Sequence, residues 1–270
     1  IDLFAGCGGL SEGFLRTGRF NALAHVEWEK PMIDTLRNRL VSTWHETVSS
    51  AKKKAVLFDI QKTEELINGN WSDESIKTYG LENSSFVIKK GLKGIVGRKH
   101  VDMIIGGPPC QAYSIHGRAT DKDSMNNDYR NYLFESFCKV VEYFEPDIFV
   151  FENVGGLLSA KPGGIPVRKR IYDAFTQIGY QIRTPEEMPT ALYNASDFRV
   201  PQHRPRVIIL GVRNGADFDL NELYHSIDNE RQPNIQLTVK DAIGDLPALY
   251  PLEKQVKEGR YFRSHQHNPN

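Results

Sequence analysis

The feature that most restricts the fold is a rhythm in the apolar residues. Short apolar runs at Ile1–Phe4, Asn21–Glu27, Ala55–Asp59, Val101–Ile105, Asp147–Phe151 and Val207–Val212 read as strands. Between them, Leu10–Thr17, Pro31–Leu40, Tyr132–Phe144 and Arg168–Ile178 have helical spacing, and the third puts Leu133, Phe137 and Val140 on one face. Strand and helix in alternation predict βαβ units and hence an α/β domain of doubly wound type, with a mostly parallel sheet and helices on both faces.

Two stretches fall out of this rhythm. Residues 61–100 are polar, Lys-rich and weakly periodic, and are expected to form an insertion on the rim of the sheet. Residues 217–270 lose the alternation and end in a run from Arg260 to His267 that interleaves basic and aromatic side chains. Such interleaving is a weak pointer to nucleic acid, and a solvated end is the preferred reading. The two histidines there do not make a metal site.

Composition narrows the class. A chain of 270 residues holds one large α/β domain, or one domain and a fragment of a second. With 40% hydrophobic and 25% charged residues it reads as an ordinary globular protein. No apolar run reaches the length of a membrane span and no charged-then-apolar leader opens the chain. It begins at Ile1, inside a strand pattern and without Met, so a few residues are expected to precede it. The 34 Lys+Arg balance 34 Asp+Glu, which argues against a stand-alone DNA-binding module but leaves room for a local basic cleft. Cys7, Cys110 and Cys138 are odd in number and lack CxxC or Cys/His spacing. They exclude a disulfide framework and a zinc site and point to a reducing, cytoplasmic setting.

Residues suited to chemistry recur at the predicted strand ends. Asp2 to Leu10 reads as strand, glycine-rich turn and helix start, and the glycines let the backbone approach a nucleotide-like ligand. Glu27 ends the second strand, about where dinucleotide-binding folds place a ribose-binding acid, and Trp28 beside it could stack on an adenine. Asp59 ends the third strand, where a carboxylate could accept a hydrogen bond from an adenine amino group. Each has a bland alternative: Trp28 as core filler, Asp59 as a helix cap. The fourth strand runs into Gly106-Gly107-Pro108-Pro109-Cys110-Gln111, whose prolines restrict the loop and display the cysteine. Cys138, beside Phe134 and Phe137, reads as a core residue. Glu152 ends the fifth strand, and in Gln202-His203-Arg204-Pro205-Arg206 alternation points Gln202, Arg204 and Arg206 the same way.

In this order, DLFAGCGGLS, EW, DI, GGPPCQ, ENV and QHRPR closely resemble the motifs of the cytosine carbon-5 DNA methyltransferase family, over residues 1–215. The resemblance implies a Rossmann-like S-adenosylmethionine-dependent methyltransferase fold, with S-adenosylmethionine as cofactor and double-stranded DNA as substrate. By matching positions, Phe4, Gly6, Gly8, Gly9, Glu27, Trp28, Asp59, Ile60, Pro109 and Leu133 would form the cofactor site. Cys110, Glu152, Arg204 and Arg206 would be catalytic, with Cys110 as covalent nucleophile on a flipped base. Gln111, Ser114 and Arg118 would lie on a loop that closes over DNA, supported by Arg130, and Gln202 would face DNA. No metal is implied. Residues 1–215 would be the catalytic domain and 216–270 a connection toward a target-recognition domain. That domain and the family's last two motifs are not in these 270 residues, so a further C-terminal region or a partner polypeptide is expected to supply them. The same motifs leave open methylation of tRNA, or a non-catalytic S-adenosylmethionine-binding subunit. A nicotinamide dehydrogenase would leave GGPPCQ without a role.

Overall fold

Five strands run parallel in the order β3-β2-β1-β4-β5: β1 (Asp2–Leu3), β2 (His25–Glu27), β3 (Ala55–Leu57), β4 (Met103–Gly106) and β5 (Ile148–Val154). Beyond β5 lies antiparallel β8 (Pro205–Arg213), which pairs with β6 (Tyr180–Gln181) and β7 (Leu192–Asn194). This is a computed structural model, and it describes residues 1–109 and 133–246, together with the backbone of 249–250 and 262–263. The strand order reverses between β1 and β4, and a doubly wound sheet opens its ligand crevice at that point, beyond the carboxyl ends of the strands.

Helices cover the sheet: α1 (Gly9–Leu15), α2 (Lys30–Ser42), α3 (Val48–Lys54), α4 (Thr63–Asn68), α5 (Asp73–Tyr79), α6 (Ser85–Val96), α7 (Leu133–Phe144), α8 (Val167–Gln177) and α9 (Leu220–Asn229). The core centres on Phe137 of α7, whose ring meets Phe149 and Phe151 of β5 and Phe175 of α8 edge-on at 5.3–6.1 Å. Phe149 in turn stacks on Phe175 at 4.1 Å. Opposite Phe149 in the β5–β8 register stands Gly211, where an added Cβ would fall 2.0 Å from the ring. Cys138 is buried, as its place beside Phe137 predicts, and burial pushes its thiol up to about 12.

The stretch 61–100 is not a polar rim insertion. It folds into α4, α5 and α6, and buries Leu66, Val87 and Leu92 completely in the main core. Ser72 and Ser84 cap α5 and α6, accepting from Ser75 N and Val87 N. Periodicity looks weak in the sequence because α4 and α5 have only 6 and 7 residues and Gly91 (φ 56°, ψ −162°) kinks α6. The division at residue 215 also moves. One compact unit comprises Ile1–Tyr193 and Pro205–Asn229, the other Asn194–Arg204 and Glu230–Asn270. The first extends through α9 because Tyr224 is buried there, its hydroxyl accepting from Leu210 N at 2.9 Å and donating to Ile208 O at 3.2 Å. The second unit contains α10 (Val239–Ile243), closed by a reciprocal cap between Thr238 and Asp241, and an antiparallel pair, β9 (Leu249–Tyr250) with β10 (Phe262–Arg263). It leaves Ile235, Leu237, Val239, Ile243 and Leu246 exposed.

The free edge of β3 is closed by side chains rather than by another strand. The Asn83 amide donates to Leu57 O at 2.8 Å and accepts from Leu57 N at 3.0 Å, while Arg37 donates twice to Ala55 O. An edge masked in this way cannot template pairing with another chain. Asn83 is buried, so Asn83→Ala would strand both Leu57 groups. A loss of about 2–4 kcal/mol is expected by chemical denaturation, and a loss below about 0.5 kcal/mol would contradict the edge role.

Candidate active site

At the carboxyl ends of β1 to β4 lies a cavity of about 430 Å³. Its first wall is the turn after β1. Phe4 and Gly6 both adopt positive φ (58° and 55°), which bends the chain back before α1. Glycine tolerates that conformation, whereas Phe4 is held in it against its preference. The turn is tied down by Glu27, which is buried at the end of β2 and accepts from Gly6 N at 2.8 Å through Oε2. Its Oε1 accepts from Trp28 N at 2.8 Å and Glu29 N at 2.9 Å. Asp59 follows β3, with Oδ1 accepting from Gln61 N at 2.9 Å. Trp28 lines the cavity and stays 43% exposed, so it is not core filler.

Of the residues that the motif resemblance implies for a cofactor site, Phe4, Gly6, Glu27, Trp28, Asp59, Ile60, Pro109 and Leu133 line this cavity. Gly8 and Gly9 do not line it. Gly8 caps α1 with φ 88° and packs against α2, where an added Cβ would fall 2.6 Å from Leu36 Cδ1. Gly9 is the exposed first residue of α1, and nothing lies within 4 Å of a Cβ placed there. Both glycines shape the turn without reaching the cavity. Val26, Phe58, Gly107, Met32, Glu29 and Gln61 also line it and were not among the predicted residues. The first three sit at or beside strand ends and were accessible to the same rule. Met32 comes from the first turn of α2, and only the crossing of that helix over the turn brings it in.

Next to this cavity stands an ion pair. Arg206 Nε donates to Glu152 Oε1 at 2.8 Å, with both side chains about three-quarters shielded. The register explains it: Arg206 opposes Val154 across β5–β8, which makes Glu152 its diagonal neighbour on the same face. Arg206 Nη1 also donates to Pro205 O at 2.8 Å, which fixes the guanidinium. Gly107, which lines the cavity, leaves the space for Glu152, since an added Cβ would fall 2.7 Å from Oε2. The next residue of β5 points the other way: Asn153 is fully buried and donates from Nδ2 to Pro108 O at 3.3 Å. Adjacent residues of one strand therefore serve the charged pair and the loop that leads to Cys110.

Cys110, Gln111, Ser114, Arg118 and Arg130 lie outside the described residues. Gln202 and Arg204 are exposed and belong to the second compact unit, where Arg204 N donates to Asn194 Oδ1 at 2.8 Å. Of the alternating Gln202, Arg204 and Arg206, the first compact unit thus holds Arg206 alone.

Comparison with known proteins places this architecture. A prophage-encoded E. coli protein assigned as a DNA modification methyltransferase superposes with a TM-score of 0.56 at 26% identity, covering 93% of this chain and 55% of that one. The Dnmt2 methyltransferase of S. pombe shares the fold, with a TM-score of 0.52 at 12% identity, over 95% of this chain and 64% of the other. The fold is therefore the Rossmann-like fold of S-adenosylmethionine-dependent methyltransferases. The family profile for C-5 cytosine-specific DNA methylases matches residues 1–70 and 57–269, and the chain belongs to that family. The Type II methyltransferase M.Bpa9945I of Bacillus paralicheniformis is 36% identical over 97% of this chain and 63% of its own length. M1.HphI of Haemophilus parahaemolyticus is 32% identical over 95% of this chain and 55% of its own. The chain thus spans a little over half the length of these curated relatives.

The contact between Gly107 and Glu152 makes a specific prediction. Gly107→Ala should push the Glu152 carboxylate off Arg206 and lower single-turnover methyl transfer by at least tenfold, with the unfolding midpoint nearly unchanged. A wild-type rate in the folded variant would show that the space at Gly107 does not position Glu152.

Proposed function

We propose that this chain is the catalytic part of a DNA cytosine carbon-5 methyltransferase of the Type II modification class, acting on double-stranded DNA in the cytoplasm. The observation that carries the reading is the meeting of cavity and ion pair at Gly107: one loop borders the nucleotide-sized cavity, touches the Glu152–Arg206 pair and runs directly into Cys110. The cavity suits S-adenosylmethionine, with Glu27 for the ribose, Asp59 and Ile60 for the adenine, and Trp28 and Phe4 as apolar walls. When bound, that cofactor supplies an electrophilic methyl group.

The protein's own residues prepare the acceptor. Carbon 5 of cytosine is a poor nucleophile and is stacked inside duplex DNA, so the base is first turned out of the helix. Cys110, as thiolate, adds to ring carbon 6 and makes carbon 5 nucleophilic. Glu152 hydrogen-bonds ring nitrogen 3 and the exocyclic amine, where charge develops during the addition. Arg206 holds Glu152 in place, and Arg204 helps orient the base. Loss of the carbon-5 proton then breaks the bond to Cys110 and restores the ring. Target-sequence readout needs side chains in the major groove. We assign it to polypeptide beyond these 270 residues, as part of the same protein or as a partner subunit.

Two substitutions in the full-length protein test the scheme, with duplex DNA and tRNA offered as substrates. Cys110→Ser should abolish turnover and leave S-adenosylmethionine affinity within about threefold of wild type, since the thiol works on the base. Methyl transfer retained by that variant would sink the covalent mechanism, and transfer to tRNA alone would sink the choice of substrate. Glu152→Gln should slow the chemical step by roughly 10²–10³, the usual loss for one transition-state hydrogen bond. If only DNA affinity fell, Glu152 would not be acting in the chemistry.

A further inference from the structure

We propose that the flank of the domain formed by α4 and α6 is a second contact for nucleic acid, holding the phosphodiester backbone without reading sequence. The inference rests on the DNA substrate proposed above. Asn68 at the end of α4, Asn70 just after it, and Lys89, Lys90 and Lys93 of α6 line a hollow of about 380 Å³ whose only other lining residue is Gly94. No carboxylate lines it, although the chain as a whole carries as many acidic as basic residues. Glu64, one turn up α4, accepts from Asn68 Nδ2 at 3.1 Å and lies outside the lining. None of the three lysines makes an ion pair with another described residue.

The hollow is built by backbone contact rather than by loose surface chains. Gly69 and Gly91 sit at positive φ (74° and 56°) with their main chains pressed together. A Cβ on Gly69 would lie 2.4 Å from Lys90 N, and one on Gly91 would lie 2.4 Å from Ile67 O. This contact sets the kink of α6 and brings Lys89 and Lys90 beside Asn68 and Asn70. Beneath it, Trp71 N donates to Ile88 O at 3.3 Å, and the Trp71 ring stacks on Phe58 at 4.1 Å, so the floor is packed into the core. Ile95 of the same helix borders a second hollow of about 450 Å³, lined also by Lys53, Lys99 and by Lys54, which is paired with Glu46.

The chemistry suits phosphates. Lysine ammoniums and side-chain amides donate to phosphate oxygens and carry no sequence information. No arginine fork or aromatic platform lines the first hollow to read or stack bases, and no apolar residue there offers a protein or lipid a dry contact. Duplex DNA extends well past one flipped base, so the substrate of the catalytic site itself supplies the flanking backbone.

The test is the salt dependence of binding by the full-length protein to a long duplex lacking its target site. Each phosphate contact contributes roughly 0.9 to the slope of log K against log salt. Lys89→Gln/Lys90→Gln/Lys93→Gln should lower the slope by about 2–3, with the unfolding midpoint unchanged and single-turnover methylation at saturating DNA unaffected. The matching triple arginine variant should retain the slope, and Lys77→Gln/Lys161→Gln/Lys169→Gln, which removes equal charge elsewhere, should leave it as in wild type. An unchanged slope in the first variant overturns the proposal, as does an equal drop in the control. Loss of binding to phosphatidylserine vesicles with an unchanged DNA slope would overturn it in favour of an acidic lipid surface. Because binding to non-target DNA needs no methyl transfer, a failure of the proposed function would show separately, as a protein that binds duplex DNA and does not methylate it.

Discussion

The carboxyl rim of the sheet depends on one buried carboxylate. Glu27 takes three backbone N–H groups, one from the turn after β1 and two from the segment that opens α2. Charge-assisted bonds of this kind are among the stronger ones available to a protein, and here they couple two chain segments that the sheet alone would leave independent. Gly6 at positive φ has no helical or strand partner for its N–H, and Glu27 supplies one. Each carboxylate oxygen keeps acceptor capacity beyond these bonds. The group that fixes the turn can therefore also receive hydroxyls from a ligand in the cavity.

A second constraint acts on the loop after β4. Gly106 lies against β1 so closely that an added Cβ would fall 2.4 Å from Leu3 O, which sets where the strand delivers the chain. Gly107 then passes over Glu152, and Pro108 is held from below by Asn153. Alternation along β5 makes this double duty possible, because successive side chains leave opposite faces of the strand. The acid of the ion pair and the amide that steadies the loop are consecutive residues with separate tasks. The antiparallel β8 adds the third member, its register setting Arg206 diagonally across from Glu152.

Charge is balanced over the chain and uneven over the surface. Lysines gather on α3 and α6, where neither lysine-lined hollow contains a carboxylate. Acidic residues are placed where they pair: Glu12 with Arg16 and Arg39, Glu46 with Lys54, Asp147 with His100 and Arg213. The hydrogen bond from Arg39 is the largest of the effects that hold Glu12 down at about 2. Neutral net charge thus says little about local potential, which follows from where the unpaired cations stand.

Much of the first unit was legible in the amino-acid order, because each strand and helix of a doubly wound sheet carries its own local period and each functional group sits at a strand end. Glu27, Asp59 and Glu152 were singled out that way, Pro109 by the motif it belongs to, and Cys138 was assigned to the core from its aromatic neighbours. Local period failed between residues 61 and 100, where α4 and α5 are short and Gly91 kinks α6, so a core-forming layer read as a polar insertion. Strand-end logic also could not show that Gly8 serves the packing of α2, that Met32 enters the cavity from a helix, or that Asn83 stands in for a missing strand. Those facts depend on contacts between segments far apart in the chain. The residues themselves determined which groups are available for chemistry and at which end of the sheet they lie. Only the tertiary structure decided which of them meet, because register, helix crossing and close backbone approach are settled by the packing of the whole unit.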